Sequence, residues 1–202
     1  WGLFRLVTLR LGMDSLVVLS CAAALADALT LMRFPSAPER QPYCAIAALA
    51  LAFTMQGNYL KRRGQRVACR TAASAGEPYL VTLDEAAWNG QDAYAKWSGE
   101  PIGFGRQMQA PDGAERVFHL MAPLLLLACL LFAVLASVGR RRPEDLLWCL
   151  SALLSSAASF SATLCYGVPW NTLSDRLAKS GAALAGWDGV TGTSGRCGIL
   201  LT

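Results

Sequence analysis

Four long stretches of this chain carry almost no charge, and any fold it adopts has to provide somewhere for them to go. They are Ser15 to Met32 (SLVVLSCAAALADALTLM), Tyr43 to Tyr59 (YCAIAALALAFTMQGNY), Leu120 to Val138 (LMAPLLLLACLLFAVLASV) and Leu146 to Val168 (LLWCLSALLSSAASFSATLCYGV). A helix of about 20 apolar residues matches the hydrocarbon thickness of a bilayer. In lipid each backbone N–H and C=O must be paired within its own segment, so the four windows are predicted to be helices. The second and third are apolar on all sides, whereas a buried helix of a soluble bundle keeps a polar stripe. Of the 202 residues 54% are hydrophobic and only 16% charged, against roughly 25% charged in soluble domains. Lipid is the simpler destination for so much apolar surface.

The charges that exist collect at the ends of the apolar runs. With the N-terminus in the cytoplasm, the inner side holds Arg5, Arg10, Lys61, Arg62, Arg63, Arg66, Arg70, Lys96, Arg106, Arg116, Arg176, Lys179 and Arg196. The outer side holds Arg33, Arg40, Arg140, Arg141 and Arg142. Positive charge favours the cytoplasmic side, so the expected topology is a multi-pass protein of the plasma membrane with its N-terminus inside. The net charge of +4 is thereby read as a topology signal and not as a nucleic-acid footprint. No cleavable leader is expected, because the first apolar run is long enough to span and lacks a small-residue exit.

Seven cysteines, Cys21, Cys44, Cys69, Cys129, Cys149, Cys165 and Cys197, form no Cys-x-x-Cys pair. Most lie inside apolar runs as small hydrophobes, which argues against a disulfide framework or a structural zinc site. The lone His119 has no partner nearby in sequence.

The expected fold class is mainly α: a four-helix transmembrane bundle of two hairpins, with a small β-containing cytoplasmic insert between helices 2 and 3. Residues 1–60 make the first hairpin, 61–118 the insert, 119–170 the second hairpin and 171–202 a cytoplasmic linker. The insert opens with LKRRGQRVACRTAA, predicted to continue the second helix beyond the membrane. It then alternates GEPYLVTL, AYAKW and GEPIGFG between Gly, Pro and Asn-Gly breakers, a strand signature. Past Pro169 the stretch NTLSDRLAKSGAAL is predicted helical, followed by a Gly/Thr/Ser-rich tail.

The stretches GMDSLVVLSCAAALADAL, GNYLKRRGQRVACRTAA, AERVFHLMAPLLLLACLLFAVLA and RLAKSGAALAGWDGV, in that order, resemble heavy-metal P-type ATPases. GMDSLVVLSCAAALADAL (Gly12 to Leu29) is similar to the family's Met-Asp-x-Leu-Val-x-Leu start of a membrane helix. GNYLKRRGQRVACRTAA (Gly57 to Ala73) is similar to the helix that runs into the actuator domain. AERVFHLMAPLLLLACLLFAVLA (Ala114 to Ala136) resembles the stretch that leaves that domain, and RLAKSGAALAGWDGV (Arg176 to Val190) the link to the phosphorylation domain. In the family this link leads to a hydrophobic strand ending in the phosphorylated aspartate of Asp-Lys-Thr-Gly-Thr, and GILLT stands at the corresponding place. The resemblance implies a cation transporter in which ATP-driven phosphorylation is coupled to ion movement. It also implies phosphorylation and nucleotide-binding domains of the same polypeptide beyond residue 202 as partners, beside the bilayer and a cation. ATP and Mg are expected only with those domains. The segment itself has no Gly-x-x-x-x-Gly-Lys loop, is expected to hold no cofactor, and cannot hydrolyse ATP alone.

There are two departures from the family pattern. The insert is about half the length of the family's actuator domain, and SSAASFSATLCYGVP lacks the Cys-Pro-Cys whose thiolates bind soft metals. Those departures leave two rivals open: a degenerate pump kept as a regulatory or binding protein, and an unrelated four-helix scaffold.

Three residues are candidates for chemistry. Asp27, within the first helix, must face the bundle or a wet cavity, since an ionisable group there costs about 2.5–3.5 kcal/mol. It is either an ion ligand or proton relay, or a carboxylate bonded to a neighbouring helix. Cys165 lies four residues before Pro169, which removes a helical hydrogen bond and frees a carbonyl for an ion; alternatively the helix ends there. The hydroxyls Ser155, Ser156, Ser159, Ser161 and Thr163 on the same run are read as close-packing residues. Glu100, in SGEP, is implied by the resemblance as an echo of the Thr-Gly-Glu loop that dephosphorylates the aspartyl phosphate. Gly-Glu-Pro also occurs at Gly76 to Pro78.

Overall fold

A computed structural model describes residues 11–33, 40–158 and 161–193, without the side chains of residues 87 and 88. The turn at 34–39, Ser159 and the tail from 194 onward lie outside the described residues.

The chain is mainly helical, with one small sheet. In order come α1 (Met13–Arg33), α2 (Cys44–Ser74), β1 (Tyr79–Trp88), β2 (Gln91–Ser98), α3 (Phe104–Met108), α4 (Gly113–Gly139), a 3₁₀ turn (Pro143–Asp145), α5 (Leu146–Ala157), α6 (Ser161–Lys179) and α7 (Gly186–Thr193). They divide into two compact units, one of residues 1–60 with 113–168 and the other of 61–112 with 169–202.

Three helical segments are long and apolar enough to cross a membrane: Met13–Arg33, Gly113–Gly139 and Pro143–Lys179. The second predicted window is not among them. It forms the first half of α2, but its uninterrupted apolar part, Cys44 to Met55, is short, rising about 18 Å along a helix where a bilayer core needs about 30 Å. Gln56 and Asn58 follow at once. The fourth window also differs from its prediction as one continuous helix. Helix α5 stops at Ala157, and Ala158 leaves the helical region at φ −76° and ψ 82°. Pro169, expected as a break or an end, lies inside α6.

In the first unit α1 and α2 form an antiparallel pair. Asn58 Nδ2 donates to Asp14 Oδ1 at 3.2 Å at one end, and Cys21 Sγ to the Ala47 carbonyl at 3.4 Å further along. Cys44 Sγ, at the far end, faces the Ala24 carbonyl at 3.6 Å. Helix α5 lies along α1 and is joined to it by the buried Ser20 and Ser155 hydroxyls, 3.0 Å apart. Of the hydroxyl-rich run, then, Ser155 links helices, while Ser156 is exposed and only caps the Leu153 carbonyl.

The distribution of side-chain size in this unit is inverted relative to a water-soluble domain. Helix α4 buries Ala122, Cys129, Ala133 and Ser137, one small residue per turn or two, and turns most of its leucines outward, Leu120 70% exposed and Leu127 65%, with Leu125 and Leu126 partly buried. Elsewhere Ser15, Ser20, Asp27, Ser151 and Ala24 are buried while Leu25, Leu29 and Met32 are exposed. A single apolar cluster around Met13, Leu16, Val17, Ala50 and Ala122 provides the larger buried side chains.

Helices α2 and α6 meet backbone to backbone. A Cβ on Gly167 would lie 2.4 Å from the Gly57 carbonyl oxygen, and one on Gly57 would lie 2.6 Å from the Thr163 carbonyl carbon. Only glycine permits that approach, the small-residue contact by which helices pack in lipid.

In the second unit β1 and β2 form an antiparallel hairpin, pairing Tyr79 with Ser98 through Asp84 with Ala93. Its Asn89-Gly90 corner has both residues at positive φ, the turn that suits the right-handed twist of paired strands. The third predicted strand, GEPIGFG, is instead a turn leading into α3 through the left-handed Gly103. Helix α2 extends through the basic run to Ser74, as its composition predicts. Lys61 Nζ reaches Asp112 Oδ2 at 2.6 Å, both side chains largely buried, and Gln65 donates to the Met108 carbonyl at 2.9 Å.

Candidate functional site

The most developed polar arrangement within the helical unit surrounds Asp27. Its side chain is fully buried on α1, four turns from the N-terminus of that helix. Arg40, just ahead of α2, directs Nη2 to Asp27 Oδ1 at 2.7 Å. The other terminal nitrogen, Nη1, lies 3.5 Å from Asp145 Oδ1 and donates to the Glu144 carbonyl at 3.3 Å. Asp145 closes the 3₁₀ turn that starts α5, where the free N–H groups of a helix start favour a carboxylate. One guanidinium thus bridges two carboxylates from two helices, and a backbone carbonyl adds a third acceptor.

Two atoms of the cluster, Asp27 Oδ2 and Arg40 Nε, are buried without a hydrogen-bond partner among the described residues. Thr30 Oγ1 bonds the Asp27 main-chain carbonyl at 2.7 Å and leaves the carboxylate untouched. Removing one member of such a pair leaves an uncompensated buried charge, at a cost of about 3–5 kcal/mol. Chemically the arrangement is a clamp: Asp27 already carries a cation, and that cation is covalently part of the chain. Between the two alternatives for Asp27, the contacts are those of a carboxylate bonded to neighbouring elements.

Cys165 is exposed on α6, which continues without interruption through Pro169. Proline has no N–H to offer the carbonyl four residues earlier, so the Cys165 carbonyl lacks its helical donor although the helix is not broken there. Neither Asp27 nor Cys165 belongs to a group of three or more His, Cys, Asp or Glu placed to hold a metal, among the described residues.

Glu100 occupies the turn after β2. The hairpin closes with Gly99 N–H on the Pro78 carbonyl at 3.1 Å, and Ile102 N–H folds back on the Glu100 carbonyl at 2.8 Å. The residue is exposed and lines an open hollow of about 340 Å³ with Ala72, Ala73, Pro78, Pro101 and Ile102. Ile102 beside it is 89% exposed. Nothing within the hairpin restrains the carboxylate, which makes it available to a group brought from elsewhere.

Sequence reasoning did not find Arg40 or Asp145 as partners of Asp27. The available signal was that a buried Asp needs a counter-charge, and the chain between helices 1 and 2 offers Arg40. His119 was also read as partnerless, whereas its Nδ1 lies 2.9 Å from the Leu11 carbonyl. A carbonyl only accepts, so that nitrogen carries the proton.

Comparison with protein-family models, with curated proteins and with solved structures finds no match to this chain.

Proposed function

We propose that this chain is the membrane part of a divergent P-type ATPase-like cation transporter. In this reading four helices cross the plasma membrane as two hairpins with the N-terminus inside, α2 among them despite its short apolar run because its polar Asn58 is paired with Asp14 of α1. The single observation that carries the membrane part of the reading is the inverted packing: small and polar side chains buried, large apolar ones exposed along α1 and α4. Soluble monomers seldom expose large contiguous apolar patches, and exposed leucines line α4; lipid accepts such a surface where water does not.

The transporter part rests on the four ordered motif resemblances together with the chain's division. One compact unit collects the two apolar hairpins and the other collects the insert and the tail, as a pump that transmits cytoplasmic motion to membrane helices requires. Helix α2 and helix α6 each contribute residues to both units and would be the mechanical links. Glu100, exposed on its turn, would meet the aspartyl phosphate of a downstream domain, with ATP and Mg held there. Phosphorylation of the full-length protein by labelled ATP, giving an acid-stable and hydroxylamine-sensitive band, is the expected result. No band under any cation would remove the reading.

A second reading is favoured by the Asp27 clamp. With Arg40 already on the carboxylate, that position is closed to a transported cation, which fits a non-transporting regulatory relative. It predicts no phosphoenzyme when the full-length protein meets labelled ATP, and an acid-stable, hydroxylamine-sensitive band would rule it out.

A further inference from the structure

The basic run of α2 is not uniform once its partners are assigned. Lys61 is engaged by Asp112 at 2.6 Å, and Arg63 lies 3.8 Å from Asp175. Three arginines remain, Arg62, Arg66 and Arg70, at positions i, i+4 and i+8. All three are exposed, on a face that rotates by only about 40° per step, with about 6 Å of rise between them. Arg62 Nη1 donates to Gln65 Oε1 at 3.1 Å, a neutral amide. Arg66 and Arg70 have no carboxylate partner among the described residues, and no Asp or Glu occurs anywhere from Cys44 to Ser74.

We infer that the ridge formed by Arg62, Arg66 and Arg70 binds the phosphate headgroups of anionic phospholipid. The inference rests on the membrane reading proposed above. Guanidinium groups pair with phosphate through two parallel N–H bonds, and three in a row without counter-charge form an attractive surface for a row of anions. Lipid is selected by the ridge's place on its own helix. The same helix exposes Ile46, Leu49, Phe53, Met55 and Tyr59 upstream, with a tyrosine at the polar end as in interfacial aromatic belts. Arg62 follows Met55 by seven residues, about 10 Å of helical rise, the depth at which headgroups begin. Helical side chains lean toward the N-terminus of their helix, which carries the guanidinium groups of Arg66 and Arg70 back toward the same layer.

The test uses the whole chain in lipid. Incorporation into phosphatidylcholine vesicles, read by flotation, comes first, and failure there overturns the membrane reading itself. The chain is then placed in nanodiscs of mixed phosphatidylglycerol and phosphatidylcholine, and retained lipid is counted by native mass spectrometry. Phosphatidylglycerol is expected to be enriched several-fold. The triple variant R62Q/R66Q/R70Q should lose most of that enrichment, up to roughly fivefold per arginine, while R140Q/R141Q/R142Q should keep it. Because the triple variant removes three charges at once, R66Q and R70Q alone provide a second reading, each with a partial loss.

Enrichment that survives in the ridge variants overturns the inference. So does its displacement by about 10 mM inorganic phosphate at constant ionic strength, which leaves the Debye length and so the screening unchanged, or equal capture of poly-glutamate in detergent.

Discussion

The two units of this molecule bury different things. In the helical unit most of the buried residues are alanine, serine and cysteine, with Asp27 and Asp145 on one arginine and a few larger side chains such as Leu16, Val17 and Leu154, while most bulky side chains point outward. In the unit containing the hairpin, the few buried side chains are Ala68, Met108, Asp112, Trp170 and Ser174, and neither face of the sheet is covered: Tyr79 and Val81 on one face and Trp97 on the other are exposed. A lone two-stranded sheet is only marginally stable. The comparison shows two ways for a chain to be held. The first unit depends on close backbone approach and on internal charge balance, and under the proposed membrane reading lipid replaces water around it. The second depends on a few polar ties, such as Lys61 with Asp112.

The sharpest way to break that comparison is to remove the lipid substitute. Transfer out of detergent should leave the chain insoluble, and a monodisperse species by size exclusion in plain buffer would end the membrane reading. Next in size is Arg40→Ala, expected to destabilise by about 3–5 kcal/mol in a detergent unfolding titration. Adding Asp27→Asn to it should recover a large part, since the orphaned charge is then gone. No recovery would mean that Arg40 acts through packing and not through charge. Gly167→Ala places a methyl against the Gly57 carbonyl and should cost about 1–3 kcal/mol, with Gly192→Ala as the control in open space. Val81→Thr, on the uncovered hairpin, should change stability by less than about 0.5 kcal/mol. A larger loss there would mean that the hairpin is covered in solution.

What could be read from the residues follows the range of the interaction involved. The first, third and fourth apolar windows, which fall in helical segments long and apolar enough to span, the extension of α2 through its basic run and the Asn-Gly hairpin are local patterns, found where composition put them. The break after Ala157 had no local mark, because SSAASFSA contains neither Gly nor Pro. Pro169, the obvious breaker, is accommodated within α6. The second window shows how polar residues placed early, here Gln56 and Asn58, shorten the apolar run of a helix that is itself 31 residues long. Of the candidate residues, Asp27 was identifiable by cost alone: an ionisable group in an apolar helix needs a partner. Which partner was not identifiable, since Arg40 and Asp145 lie 13 and 118 positions away and only the packing of α5 brings the second one in. The glycine contact between α2 and α6 was hidden for the same reason: each glycine is unremarkable until the other arrives.

The outward-facing leucines of α4 have a consequence for how this sequence can drift. On its rim, under the proposed membrane reading, exchanging Leu127 for phenylalanine, isoleucine or methionine changes nothing that a fluid acyl chain cannot accommodate. On its inner side, enlarging Ala122 or Ala133 by two carbons would wedge neighbouring rods apart. Tolerance is therefore governed by volume, and the greasiest positions of the chain are the freest to vary.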